Sequence, residues 1–510
     1  MTSTRVAKAF GAGSACRAIL ACTLAGLAAV ALLPARSALA AAPSADWTTT
    51  PWPCPSGLPA TVTCGRLELP IDWSDPASPR SVSLAYAVHR APAERIGTIT
   101  FNPGGPGTSG IDALGLSLGT GPPAWTWPSQ ILDHFDIVAW DPRGVGYSGP
   151  TMQNCERATV EMGPIPAVGV IGWEQVARGY AKRLSAELRA CLDANPVAAR
   201  HLGTAEVIDD LEALRQALSI DQWTYLGTSY GTTIGMAYAR AHPERIRALV
   251  LDGLAPPSES ILQAARSQVP GWRAALNAFG REFPRAGALA QPVMDRLDED
   301  VLALQGAPFG RFPVPDAHSS LYRMMSSTLQ SEARFPGLRD LLIELGAQLP
   351  QEPLEDQPAD QSTIELAVNP IVSLVICADR ADHPTIAQAA DLAEAAERKG
   401  ITVAAIPSLQ RALWCPGLGN LGRPLNSSTA PLDLPAAALI VNAAGDLKTP
   451  MVRAKVAAAQ IPGSRLITYL GTTHGLFPRA GSACINDAVV DYLLNLRLPA
   501  TDLTCPIPSR

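Results

Sequence analysis

The sequence predicts an α/β protein with a mostly parallel central sheet, and three kinds of observation carry that expectation. Short apolar, β-branched or aromatic runs recur, among them Phe135-Asp136-Ile137-Val138-Ala139-Trp140 and Ala438-Leu439-Ile440-Val441-Asn442-Ala443, each running into a loop. Helical periodicity stands between such runs: Ile208, Leu211, Leu214 and Leu218 share one face while Asp209, Glu212 and Arg215 point outward. The third is a sharp junction, Leu226-Gly227-Thr228-Ser229-Tyr230-Gly231-Thr232, which joins the strand-like Trp223-Thr224-Tyr225-Leu226 to a small-residue helix.

Taken along the chain, residues 1–40 read as a secretory signal. Arg5, Lys8 and Arg17 precede an apolar run from Ala18 to Leu33, and Ala38-Leu39-Ala40 supplies a cleavage site. Residues 41–255 are expected to form the first part of the sheet domain. There, Ile99-Thr100-Phe101 runs into the glycine-rich loop Asn102-Pro103-Gly104-Gly105-Pro106-Gly107. Asp141 and Arg143 follow the next strand and are expected to pair with each other. The helix after Ser229 ends at His242-Pro243, because proline disfavours helix in the residue before it. Strand Ile246–Leu251 follows.

Residues 256–430 interrupt this pattern with helix-like stretches at Leu262–Phe279, Val293–Leu304 and Leu338–Leu349, and a polar stretch at 350–363. An inserted, mainly helical cap over Ser229 is the expected result. Residues 431–510 return to the sheet with strands 438–443 and 465–470 and a helix at Asp487–Leu496.

The junction at Ser229 is a Gly-x-Ser-x-Gly elbow, which in an α/β-hydrolase fold lifts a serine hydroxyl clear of its neighbours. A serine is a poor nucleophile at neutral pH and needs a base, an orienting carboxylate and amide donors for the oxyanion. The expected chain order is Ser, Asp or Glu, then His. Of the seven histidines, His474 falls after a late strand between glycines and is the base. Asp446, in the loop after strand 438–443, is the acid, with Asp433 a weaker candidate at the strand's other end. The oxyanion donors are the N–H groups of Tyr230 and Gly105, with Gly104 an alternative to Gly105.

The segments Asn102–Gly107, Asp141-Pro142-Arg143-Gly144 and Gly227–Thr232 together resemble the secreted tripeptidyl aminopeptidase and proline iminopeptidase family. Leu69–Trp73, Asp210–Arg215, Val250–Gly253, Ile376–Asp379 and the run from His474 through Cys484 to Cys505 agree with it as well. The resemblance spans roughly 50–505 and implies α/β-hydrolases that cleave peptides from a free N-terminus, without metal or organic cofactor. Two stretches depart. Ala444–Pro450 lacks a proline the family carries after the aspartate, and residues 260–365 show little correspondence, which leaves substrate identity open.

An aminopeptidase also needs an anion to meet the substrate's ammonium. Asp379 and Glu365 are the candidates. A carboxylesterase with the same Ser-His-Asp set is the rival enzyme reading, and a noncatalytic binder the rival outside enzymes.

Removing residues 1–40 leaves 36 basic against 46 acidic residues, a net charge of −10 from −6 for the whole chain. Neither nucleic acid nor an anionic membrane is an expected partner; a peptide or small ester is. Oligomeric state is left open. The same cut leaves eight cysteines, an even number that favours disulfides in an exported chain but permits 105 pairings. No metal-ligand spacing is present. Locality together with the resemblance implies Cys54–Cys64, Cys155–Cys191, Cys377–Cys415 and Cys484–Cys505.

Overall fold

A computed structural model describes residues 47–164, 172–290, 317–348 and 363–509, all within the unit Trp47–Arg510. The signal segment, the helix expected at Val293–Leu304 and nearly all of the polar stretch at 350–363 lie outside the described residues.

Twelve strands are described: β1 Thr49–Pro51, β2 Thr63–Pro70, β3 Ser81–His89, β4 Gly97–Asn102, β5 Phe135–Trp140, β6 Ala158–Pro164, β7 Trp223–Thr228, β8 Ile246–Asp252, β9 Thr363–Val368, β10 Leu439–Ala443, β11 Arg465–Tyr469 and β12 Leu503–Cys505. Ten form one sheet in the order β1-β2-β3-β5-β4-β7-β8-β10-β11-β12. The first three pair antiparallel, and everything from β5 across to β12 is parallel.

The pleat sorts side chains onto the two faces. Trp223 and Tyr225 of β7 join the larger apolar cluster and Leu226 the smaller. In β10, Ile440 faces the first cluster while Leu439, Val441 and Ala443 face the second. Both faces are therefore covered, as a parallel sheet requires. The C-terminal ends of β4, β7, β8, β10 and β11 lie side by side and carry the loops that build the site.

The stretch expected as one helix at Leu262–Phe279 is two, Ile261–Arg266 and Gln268–Glu282. Ser267 turns its hydroxyl onto the Ala264 carbonyl at 2.8 Å, and Pro270 lacks an N–H for the helix ladder. At the third position of a new helix that loss costs nothing, so the ladder restarts there. The stretch at Leu338–Leu349 is found as helix Phe335–Gln348.

The helical layer is not confined to residues 256–430. β6 pairs antiparallel with β9, and helix Trp173–Ala194 packs on helix Ile386–Glu397. Trp173 Nε1 donates to Glu397 Oε2 at 3.0 Å across that contact. Disulfide Cys155–Cys191 ties the two early pieces of this layer together. The other bridges are Cys54–Cys64, Cys377–Cys415 and Cys484–Cys505, the same pairs the resemblance implied.

One expected contact is corrected. Arg143 does not pair with Asp141; it forms a two-pronged bond to Asp210, 2.8 Å from Nε and 2.5 Å from Nη2. It also donates to the carbonyls of Ile71, His201 and Pro70. Asp141 instead accepts from the N–H groups of Ile111 and Tyr147 and from the Ser109 hydroxyl. Amides at the start of helix Gly110–Gly115 satisfy an anion well, which frees Arg143 to reach across the loop.

The Arg143 and Asp210 side chains are 1% and 0% exposed, so removing either charge strands the other. Arg143→Met is expected to destabilise the chain by about 3–5 kcal/mol, and Arg143→Met with Asp210→Leu to recover much of that. Denaturant unfolding with intact disulfides measures both; a single-variant loss under 1 kcal/mol would refute the role given to this pair.

Candidate functional site

Ser229 sits between β7 and helix Tyr230–Ala241 with φ 57° and ψ −124°, a strained conformation for a residue with a side chain. Its neighbours explain how the strain is held. A Cβ on Gly231 would come 2.2 Å from the Asn102 carbonyl oxygen, and one on Gly227 2.5 Å from that of Gly231. Only glycines let the turn close this tightly against β4. The Ser229 N–H donates to the Asp252 carbonyl at 2.8 Å, anchoring the turn to β8.

The loop after β4 lies directly beside the elbow. Gly104 has φ +94°, and a Cβ there would sit 2.9 Å from the Tyr230 nitrogen. The Gly104 N–H is taken by Asn102 Oδ1 at 2.9 Å, which counts against Gly104 as the oxyanion donor. Gly105 and Tyr230 line the same cavity as Ser229.

Asp446 follows β10 and is buried. Its Oδ1 accepts from the N–H groups of Lys448 at 2.8 Å and Thr449 at 2.9 Å. Its Oδ2 accepts from the Thr449 hydroxyl at 2.7 Å and lies 2.8 Å from His474 Nδ1. Burial pushes this carboxyl up, but the charge and hydrogen bond of His474, with the bonds from Thr449, hold it below the ordinary range. Asp433 is exposed before β10, at the other end of that strand.

His474 follows β11, and its loop is held by Gln330 and Glu332. The His474 N–H donates to the Gln330 carbonyl at 3.1 Å. Glu332, buried, accepts from the Thr472 N–H, from the Thr473 N–H at 3.2 Å and from the Thr473 hydroxyl at 2.5 Å. From the sheet side, Asp252 Oδ2 accepts from the N–H groups of Leu476 and Phe477 at 2.6 and 2.9 Å. Burial pushes the Asp252 carboxyl up to about 6.

Glu332→Ala would leave the Thr472 and Thr473 N–H groups and the Thr473 hydroxyl without this acceptor and loosen the His474 loop. We expect kcat to fall roughly 10–100-fold with KM little changed, since small misplacements of a reacting group are expensive. Steady-state kinetics beside thermal unfolding check this, and an unchanged kcat would sink it.

Ser229 and His474 line one cavity of about 410 Å³. The two carboxylates expected to meet a substrate ammonium are not on its wall. Asp379 is buried, where it accepts from the Thr204 N–H at 2.7 Å and from the Tyr230 hydroxyl, and burial pushes its carboxyl up. It is a brace for the elbow, bound to a side chain next to Ser229. Glu365 is an exposed residue of β9 opposite Glu161, and it does not line the cavity either. Among the described residues the carboxylate on the wall is Glu259, gripped by Arg453, whose Nε stands 2.7 Å from Oε1. No local pattern marks Glu259; a partner 194 residues away places it.

Among the described residues, one group has metal-ligand geometry: Asp72, His201 and Glu206, with candidate ligand atoms within 4.8 Å of one another. None of the three lines the cavity, and Glu206 is already met by Arg423.

A serine in a strained strand-to-helix turn, on a sheet parallel from β5 to β12, is the arrangement of an α/β-hydrolase. Residues 97–291 match a family described as alpha/beta hydrolase fold, and residues 410–505 one described as TAP-like protein. The serine protease Hip1 of Mycobacterium tuberculosis is 36% identical over 254 residues, 46% of this chain and 44% of that protein. Carboxylesterase B of the same organism is 29% identical over 488 residues, 87% and 86% of the two chains. The tripeptidyl aminopeptidase of Streptomyces lividans is 30% identical over 220 residues, 42% of this chain and 38% of its own. The match to Hip1 thus spans less than half of that relative's length. The chain has the α/β-hydrolase fold, and the proteins it is similar to are named as serine hydrolases and peptidases.

Proposed function

We propose that the protein is an exported serine hydrolase that releases amino acids or short peptides from free peptide N-termini through an acyl-enzyme. One observation carries this: the strained Ser229 elbow and the hydrogen-bonded His474–Asp446 pair open onto a single cavity. Ser229 Oγ attacks the scissile carbonyl carbon as His474 Nε2 takes its proton. The N–H groups of Tyr230 and Gly105 hold the oxyanion, and Asp446 keeps Nδ1 protonated and stabilises the imidazolium. The C–N bond then breaks, and His474 gives its proton to the leaving amine. Water cleaves the acyl-serine ester, losing its proton through His474 back to Ser229 Oγ.

Glu259, paired with Arg453, is the carboxylate that the described residues place on the cavity wall, and a substrate ammonium would have to share it with that guanidinium. Four disulfides fit export into an oxidising compartment. The similarity to Carboxylesterase B over most of the chain favours ester hydrolysis as the second reading. Free and N-acetylated tripeptides compared with p-nitrophenyl esters separate the two. An aminopeptidase cleaves the free peptide and rejects the acetylated one; turnover of esters alone would establish the second reading.

A further inference from the structure

The cavity wall carries the opposite sign to the chain. Among the described residues, Arg380, Arg411, Lys448, Arg453 and Arg479 line it against one carboxylate, Glu259, while the whole chain is −6. Of these cations, Arg453 is paired with a carboxylate, and Arg380 and Arg479 meet neutral groups away from the neighbouring second cavity. Arg453 grips Glu259, Arg380 donates to the carbonyls of Pro256 and Pro257, and Arg479 lies over the Trp125 ring at 4.3 Å.

Arg411 and Lys448 are placed differently. Both also line a second cavity of about 360 Å³, which shares Gly105, Pro106 and Trp414 with the first. They therefore stand where the two chambers meet, beside the loop that offers the Gly105 N–H. Among the described residues neither takes part in an ion pair. Arg411 donates to the Lys448 carbonyl at 3.2 Å and lies 5.1 Å from the Trp414 ring centre. Among the described residues, Lys448 Nζ reaches the Ser326 hydroxyl alone, at 3.4 Å. Burial and then the neighbouring Arg411 charge pull Lys448 down to about 8. Burial, then Arg453, pulls Arg411 down to about 10 against the weaker opposing pull of Glu259, which Arg453 already holds.

Two cations held together away from water are unfavourable until an anion joins them. Asp446 cannot serve, because its oxygens already accept from Lys448 and Thr449 N–H, the Thr449 hydroxyl and His474. We propose that Arg411 and Lys448 bind a carboxylate of the substrate, so that the cleft selects acyl compounds carrying an anionic group close to the scissile bond. This rests on the serine hydrolase reading but not on the choice between peptide and ester. Two sources present that chemistry: an acidic side chain near the cleaved bond, or the terminal carboxylate of a short leaving peptide.

The test uses the full chain and matched probes. The p-nitrophenyl monoester of glutaric acid and p-nitrophenyl valerate have similar length and differ in charge. The wild type is expected to favour the anionic ester in kcat/KM by roughly 10–100-fold, the scale of a charge-assisted bond. In Arg411→Gln with Lys448→Gln that ratio should fall toward one. Ala-Glu-Ala-amide, Ala-Gln-Ala-amide and Ala-Gln-Ala free acid then separate side chain from terminus.

Binding of glutaric acid monoanilide against its neutral amide to Ser229→Ala, by calorimetry, reads the charge preference without turnover. Failure of all probes to turn over, with tight anionic binding retained, would overturn the hydrolase reading and support the subsite. A ratio near one in the wild type would overturn the subsite, as would a ratio the double variant leaves unmoved or equal affinity for the two anilides.

Discussion

Ser229→Ala is expected to lower kcat by roughly 10⁴–10⁶-fold while leaving the fold in place. The folding half of that expectation follows from what the hydroxyl does not do. Ser229 makes no side-chain capping bond to the helix it precedes; the helix start is held by its backbone, with Thr232 donating to the Ser229 carbonyl. Alanine accepts the φ of 57° at a cost similar to that of serine, and the two glycines that close the turn are untouched. The kinetic half follows from the loss of the hydroxyl proposed to form the covalent intermediate. His474→Ala should cost a comparable factor, and the double variant little more than either single one, because the two act as one unit. Single-turnover assays on the preferred peptide or ester, with a fluorophosphonate label to verify loss of the nucleophile, measure this. Turnover retained in a Ser229→Ala preparation free of wild-type enzyme would end the assignment.

Some of this site is readable before any coordinates because its parts are local patterns. The elbow is seven consecutive residues, and Asp446 and His474 each follow a strand whose apolar run is visible in the sequence. Their order along the chain then links them. What the sequence does not reveal depends on pairing across long separations. Arg143 finds Asp210 67 residues on, rather than the nearer Asp141. Glu332 reaches the His474 loop from 141 residues away. The helical layer recruits β6 and helix Trp173–Ala194 from ahead of the elbow, where β6 pairs with β9 from well beyond it in the chain. Asp379 shows the opposite hazard. A carboxylate in a family-like motif reads as a ligand for substrate, yet its oxygens are consumed by Thr204 and Tyr230. The sign of the cavity is hidden for the same reason: Arg380, Arg411, Lys448, Arg453 and Arg479 come from four different segments of a chain that is acidic as a whole.

Asp446→Asn should cost about 10⁴-fold in kcat, the scale set by the same change in other serine hydrolase triads. The reason lies in the direction of every bond the carboxylate makes. All four of its neighbours offer a hydrogen to it: two backbone N–H groups at Oδ1, the Thr449 hydroxyl and His474 Nδ1 at Oδ2. An asparagine has one acceptor oxygen for these sites. The Lys448 and Thr449 amides cannot reverse their polarity, so the oxygen must face them and the N–H₂ must face the imidazole. Nδ1 is then forced to accept, which puts the ring proton on Nε2. A protonated Nε2 cannot take the Ser229 proton, so the base is lost while the geometry survives. Asp446→Ala removes the wrong donor along with the charge and leaves the tautomer free, so it should retain more activity than the asparagine variant. Nitrogen-15 NMR of the His474 ring reads the tautomer directly, beside kcat for both variants. An asparagine variant with Nδ1 still protonated, or with near-normal turnover, would remove Asp446 from the mechanism.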